Sequence, residues 1–196
     1  MLLPEINLKL PNWLQSLFNK IQNNTFTTIE KRMEIAIQIA DLNIKHKTGG
    51  PFGACIFDLN TNKILSLGAN IVTNNNCSVA HAEIMAIMTA QKIFSNYDLG
   101  NKKENQYELV TSVEPCTMCL GATYWSGVRQ LVYGATDEDA RAIGFDEGVK
   151  PKNWEKTLET RGIKVIPHIL RNKANKVLQE YAISGHIYNA RKGNIH

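Results

Sequence analysis

His81, Cys116 and Cys119 are the residues of this 196-residue chain best placed to grip a metal ion, and Glu83 stands two positions beyond the histidine. One imidazole and two thiolates make three zinc ligands, one fewer than a closed tetrahedral site uses, so a fourth position stays open to water. A neutral imidazole with two thiolates also cancels the 2+ charge of the ion. Zinc held this way brings the pKa of its water down to about 7 and makes hydroxide available at neutral pH. Hydroxide alone does not expel a poor leaving group such as an amine, which must first be protonated. Glu83 is the candidate to take a proton from the water and pass it on. The chemistry these residues suit is hydrolysis by a zinc-activated water, with one zinc ion per chain.

Both motifs fall where a strand or loop hands over to a helix. Cys116 and Cys119 are three apart, so at a helix start they share one face. Pro115 suits the first turn, where the N–H it lacks has no partner. The positive end of that helix favours thiolate over thiol. His81 and Glu83 would point to different faces in mid-helix, whereas at a helix tip both reach around one point ahead of the axis. Two helices are therefore expected to aim their N-termini at a single zinc.

Thr27-Thr28-Ile29-Glu30 reads as a capping box, with Met33, Ile37, Ala40 and Ile44 then at helical spacing and Gly49-Gly50 ending the helix. Strands are expected near Ala54–Phe57 and Ile64–Ala69, around a turn at Asn60-Thr61-Asn62. A helix over about Ala82–Phe94 and a polar loop over Ser95–Gln106 come next. The pattern continues with a strand at Leu109–Ser112, a helix over Cys116–Trp125 and a strand at Gln130–Gly134. Helix, strand and helix over Asn153–Thr160, Lys164–Pro167 and Asn172–Ile183 complete it. This alternation predicts an α/β domain with helices on both faces of one sheet; the expected architecture is a three-layer α/β/α fold around a central mixed sheet. Trp13, Leu14, Leu17, Phe18 and Ile21 fall on one helical face, which makes residues 1–26 an N-terminal helical extension to a domain over residues 27–196.

An apolar content of 43% in a chain of this length supports one domain with a substantial core. The net charge of +4 is spread over scattered Lys and Arg, so no basic stripe argues for a nucleic-acid partner. No stretch approaches the roughly eighteen apolar residues of a membrane span, and Met1–Asn12 lacks the features of a secretion signal. A cytoplasmic protein with free thiolates is expected. Cys77 precedes His81 by four residues, so Cys77, His81, Cys116 and Cys119 could instead close a structural zinc site. That arrangement leaves Glu83 and Pro115 without a purpose. His46, His168, His186 and His196 read as ordinary surface or core residues.

His-x-Glu with a later Pro-Cys-x-x-Cys is the signature of zinc deaminases that act on nucleobases, and residues 30–191 resemble the cytidine-deaminase-like zinc superfamily. Ser112-Val113-Glu114-Pro115-Cys116-Thr117-Met118-Cys119-Leu120-Gly121-Ala122 is similar to the tract shared by bacterial guanine deaminases and tRNA adenosine deaminases. Gly49-Gly50-Pro51-Phe52-Gly53, Ala142-Ile143-Gly144-Phe145-Asp146-Glu147-Gly148 and Gly185-His186-Ile187-Tyr188-Asn189-Ala190-Arg191 resemble the guanine deaminase branch, including members that act on the triazine ammeline. The resemblance implies a base stacked between Phe52 and Phe145, further contacts from Asn70, Ala82 (through its backbone N–H) and Tyr188, and Glu147 as a second acid. It also implies a homodimer with exchanged C-terminal segments, the tail covering a neighbour's site. Guanine is thus the expected small-molecule substrate. A tRNA wobble adenosine, ammeline or a cytosine-type base is the alternative, and a silent zinc-binding domain is disfavoured by the presence of Glu83.

Overall fold

The computed structural model describes residues 3–189. Its helices are α1 (Asn12–Ile21), α2 (Ile29–Lys45), α3 (Val72–Asn75), α4 (Ala82–Phe94), α5 (Thr117–Ser126), α6 (Asp137–Ala142), α7 (Trp154–Glu159) and α8 (Arg171–Ser184). The strands are β1 (Gly53–Asp58), β2 (Lys63–Ala69), β3 (Tyr107–Val113), β4 (Gln130–Ala135) and β5 (Lys164–Ile166). They form one sheet in the order β2-β1-β3-β4-β5. β1 runs antiparallel to both β2 and β3, while β3, β4 and β5 are mutually parallel. The sheet is therefore mixed, as expected.

Both faces of the sheet are covered, and the two-residue period of the strands divides them. Ala54, Ile56, Leu109 and Leu131 pack against α4, α5 and α7. Cys55, Phe57, Val110 and Val132 point the other way, toward α1 and α2. Burying each such Leu, Ile or Phe contributes roughly 1.5–3 kcal/mol, so the sheet interior dominates stability. Leu14 and Leu17 of α1 belong to the same apolar cluster as Met33 and Ile39 of α2.

The buried stripe of α2 is Arg32, Met33, Ala36, Ile39, Ala40 and Asn43, which is helical periodicity with a polar residue at each end. Arg32 Nε donates to Glu108 Oε1 at 2.6 Å, and the carboxylate is fully buried on β3. Gln130 of β4 donates to the same carboxylate, and Arg32 also donates to the Phe26 carbonyl at 3.0 Å. This pair joins α2, β3 and β4 through the middle of the fold. Asn43 does the corresponding work at the other end, donating to the carbonyls of Gly50 at 2.8 Å and Asn70 at 2.7 Å.

Several local expectations shift. The α2 cap is Thr28, whose hydroxyl accepts from the Lys31 N–H at 3.3 Å, one residue later than the capping box expected at Thr27. The helix stops at Lys45, ahead of Gly49-Gly50, because Lys47 takes a left-handed φ of 55°. A capping box does occur at Thr136 and Asp139, at the start of α6, a helix the sequence pattern did not reveal. With six and four residues, α6 and α3 are too short to carry a periodic signal.

Arg32→Met is expected to cost about 3–5 kcal/mol in denaturant unfolding, because it strands the Glu108 carboxylate in the core. Adding Glu108→Leu removes the stranded charge and should recover most of that loss. A single-variant cost below about 1 kcal/mol would show that the pair is not the tie described.

Candidate active site

His81 and the Cys116–Cys119 pair sit at the N-termini of neighbouring helices, as their spacing required. His81 is the N-cap of α4 and Cys116 the N-cap of α5, both with extended backbone. The approach of α4 to the sheet is set by Gly68 of β2. A Cβ there would stand 2.0 Å from the Ala82 carbonyl oxygen and 2.4 Å from the Ala86 nitrogen, so only glycine lets the helix backbone lie on the strand. α5 is set from the other side, since β3 ends at Val113 and Glu114-Pro115 turns straight into Cys116.

His81 Nδ1 lies 3.6 Å from Cys116 Sγ and 3.7 Å from Cys119 Sγ. Tetrahedral zinc, with bonds of about 2.3 Å to sulfur and about 2.0 Å to nitrogen, places such atoms roughly 3.5 Å apart. The donor set and its spacing therefore fit zinc. Among the described residues these three form the one cluster able to hold a metal. Cys77 is not part of it, and packs near Ile71, Ala80 and Met85. The closed four-ligand alternative is thus not what the fold brings together.

Electrostatics at the cluster are those of a thiolate and a thiol sharing a hydrogen bond in a buried place. Cys116 is drawn down to about 4, mainly by the hydrogen bond from the Cys119 thiol and also by His81, against the opposing effect of burial. The same bond, with burial, raises Cys119. Burial and the Cys116 charge raise Glu83, which is only 6% exposed. Glu147 is pushed up to about 8, first by burial, then by the charges of Cys116 and Glu83. The two carboxyl groups that flank the cluster are thus both raised from their ordinary values, the direction that suits acid–base exchange.

A cavity of about 590 Å³ opens in front of the cluster, and His81, Glu83, Cys116, Phe52, Asn70, Phe145, Glu147 and Tyr188 all border it. Phe52 and Phe145 meet edge to face with centroids 4.9 Å apart and planes at 70°. A base sandwiched between them would need about 7 Å, two layers of carbon contact, so they form an aromatic corner and not a slot. Ala82 has its side chain in the core and does not border the cavity. What it offers is the first N–H of α4, a donor with no intrahelical partner.

The far wall is organised by Asn70. Its Oδ1 accepts from the Tyr188 hydroxyl at 2.7 Å and from the Val72 N–H at 3.3 Å, while its N–H donates to the Phe52 carbonyl at 3.2 Å. Asn189 closes the rim by accepting from the Asp146 N–H and donating to the Gly144 carbonyl, both at 3.0 Å. The tail of the chain thus reaches its own cavity. Ala190 and Arg191, part of the stretch that carried the resemblance, lie outside the described residues.

Val72, Thr73, Ser78, Glu114, Thr117 and Asn189 also border the cavity without having been singled out from sequence. They come from the loop around α3, the cysteine turn and the tail, which have no shared periodicity. The available signals were Glu114 and Thr117, which flank Pro115-Cys116, and Asn189, which follows Tyr188 in the tail.

A family model for the cytidine and deoxycytidylate deaminase zinc-binding region matches residues 26–135. The chain belongs to this family. This deaminase is 38% identical over 134 residues to the guanine deaminase of Bacillus subtilis, covering 68% of this chain and 81% of that one. It is also 35% identical over 119 residues to a tRNA-specific adenosine deaminase of Buchnera aphidicola, covering 61% and 72%. A solved guanine deaminase from Nitrosomonas europaea superposes with a TM-score of 0.85 at 40% identity, over 91% of this chain and 97% of that one. The fold is that of the cytidine-deaminase-like enzymes, and the protein is a zinc-dependent aminohydrolase. Among the described residues no helix is long and apolar enough to cross a membrane.

Cys77→Ser is expected to leave zinc content, measured by metal analysis after dialysis, at the wild-type level. Loss of zinc in that variant would restore the closed site.

Proposed function

We propose that this enzyme hydrolyses guanine to xanthine and ammonia, with His81, Cys116 and Cys119 holding one zinc ion per chain. The observation that carries the reading is Glu83, a buried acid on the cavity wall beside the three-ligand cluster. When bound, zinc supplies a Lewis acid that brings a water within reach of deprotonation at neutral pH. The oxygen of that water bonds to C2 of the base. Glu83 takes the proton released and delivers it to the adjacent ring nitrogen. The second water proton passes, with Glu147 as carrier, to the exocyclic amino group. The C2–N bond then breaks with its electron pair on nitrogen, and ammonia leaves. Phe52, Phe145 and Tyr188 supply the aromatic corner, while Asn70 and the Ala82 N–H hold the polar edge of the base.

Guanine is favoured over other amino-heterocycles by the likeness to the guanine deaminases of Bacillus subtilis and Nitrosomonas europaea. A relative solved with 2,6-diaminopurine is 42% identical, with a TM-score of 0.86 over 94% of this chain and 96% of that one. A tRNA substrate is disfavoured by charge. No Lys or Arg borders the cavity among the described residues, whereas Glu114, Asp146 and Glu147 do, and a phosphate backbone requires the opposite sign. A cytoplasmic homodimer with exchanged C-terminal segments belongs to the same proposal. The free cysteines suit a reducing compartment; exchange would replace the contacts that the tail makes here with its own cavity rim by those of a partner's tail.

Zinc-loaded protein given a panel of purines, pyrimidines, nucleosides, triazines and tRNA should release ammonia fastest from guanine. Inosine formation in tRNA, strongly weakened by salt, would transfer the enzyme to the other branch. Glu83→Gln should retain zinc and lower kcat on guanine by about 10²–10⁴, the usual range for a lost acid–base group. Activity near wild type in that variant would remove Glu83 from the mechanism.

A further inference from the structure

The loop from Ile143 to Lys150 joins α6 to the segment before α7 and carries Glu147 to the cavity. Its apolar anchorage lies in its first half, at Ile143 and Phe145. Phe145 is 6% exposed, but Val149 is 91% exposed. Polar ties must therefore decide where the Glu147 carboxyl stands. One lies next to the cysteines, where the Thr117 N–H and hydroxyl both donate to the Glu147 carbonyl, at 3.1 and 3.2 Å. Another comes from Arg141, which donates to the Gly148 carbonyl at 2.5 Å.

The third tie is Lys150. Its ammonium lies 2.7 Å from Glu114 Oε1 and 2.9 Å from Asp137 Oδ1, with the side chain 10% exposed. The other Glu114 oxygen accepts from the Asp137 N–H at 3.1 Å, and Arg141 pairs with Asp137 on its far side at 2.5 Å. Glu114 is the residue before Pro115-Cys116, so its carboxylate is fixed to the root of the cysteine turn. One cation thus ties the end of the loop to the strand exit that places Cys116 and to the first turn of α6. Without that cation, Arg141 alone is left to balance the two carboxylates Glu114 and Asp137, which weakens the loop's anchorage.

We propose that Lys150 is a positioning residue for Glu147, latching the acid-bearing loop to Glu114 at the cysteine turn so that the Glu147 carboxyl is held over the cavity. This rests on the proposed role of Glu147 in proton transfer. A side chain that sets another group's position is felt strongly in turnover, since a displacement of about 1 Å can cost about 10²-fold. It is felt little in zinc binding, because the groups Lys150 contacts, Glu114, Asp137 and the Trp154 ring, are not in the ligand cluster.

The test is a double-mutant cycle in zinc-loaded full-length protein, using whichever base the panel shows to be turned over, with Lys150→Met, Glu147→Gln and the pair. Lys150→Met should lower kcat by about 10²-fold with KM within about twofold and zinc content unchanged. In the Glu147→Gln background it should have almost no further effect, because the group it positions is already lost. Hydrogen exchange gives a readout independent of activity: the Thr117 and Gly148 amides should exchange faster in Lys150→Met while those of β3 and β4 do not. Lys150→Arg, which keeps the cation, should regain most of the lost kcat. Equal losses from Lys150→Met in both backgrounds, or unchanged exchange at Thr117, would overturn the positioning role and leave the Glu147 mechanism standing. Full activity in Glu147→Gln would instead overturn the role of Glu147, and the proposal with it.

Discussion

The site depends on one contact, the first turn of α4 lying directly on the backbone of β2 at Gly68. His81 comes from α4 and the two cysteines come from α5, so the ligand cage exists only while the two helices keep their relation. A single methyl at Gly68 would meet the Ala82 carbonyl at 2.0 Å, and the helix would have to lift from the strand. The histidine would move with it. The His81–sulfur distances of 3.6 and 3.7 Å have little tolerance for such a shift, because zinc bonds vary by only a few tenths of an ångström.

Two polar residues in the core stripe of α2 extend that rigidity. Arg32 ties the helix to the central strands through Glu108, while Asn43 fixes the carbonyls of Gly50 and Asn70 and so the wall carrying Phe52 and Asn70. Thr48 donates to Asn43 Oδ1 at 2.7 Å and accepts from the Trp13 indole at 2.9 Å, which brings α1 into the same network. The N-terminal helix therefore supports the cavity wall from behind. Each of these groups is satisfied, and satisfied buried networks hold one geometry where apolar packing would tolerate several.

Much of this was legible in the chain. The strands and the two site helices followed from period and from the punctuation at Gly, Pro and Asn. α4 begins at Ala82 and ends at Phe94 in agreement with the expectation. The ligand trio followed from residue chemistry together with the deaminase signature, with Cys77 open as a fourth ligand until the fold placed it elsewhere. What the pattern could not carry was anything set by tertiary placement. Arg32 and Asn43 break the apolar period at core positions, so a reading by hydrophobicity passes over them. The edge-to-face pairing of Phe52 with Phe145 and the Glu114–Lys150–Asp137 latch join residues far apart in sequence. The cap at Thr28 rather than Thr27 shows a smaller limit, since adjacent threonines offer the same hydroxyl and only backbone geometry selects one.

The central claim is a zinc site with three protein ligands and one position left for water. X-ray absorption at the zinc edge of the loaded full-length protein tests it most directly. The account predicts two sulfur neighbours at about 2.3 Å and two lighter atoms at about 2.0 Å, one of them imidazole nitrogen and the other exchangeable oxygen. A first shell with three sulfurs and one nitrogen would contradict it. That shell would close the site through a third cysteine and leave Glu83 no water to serve.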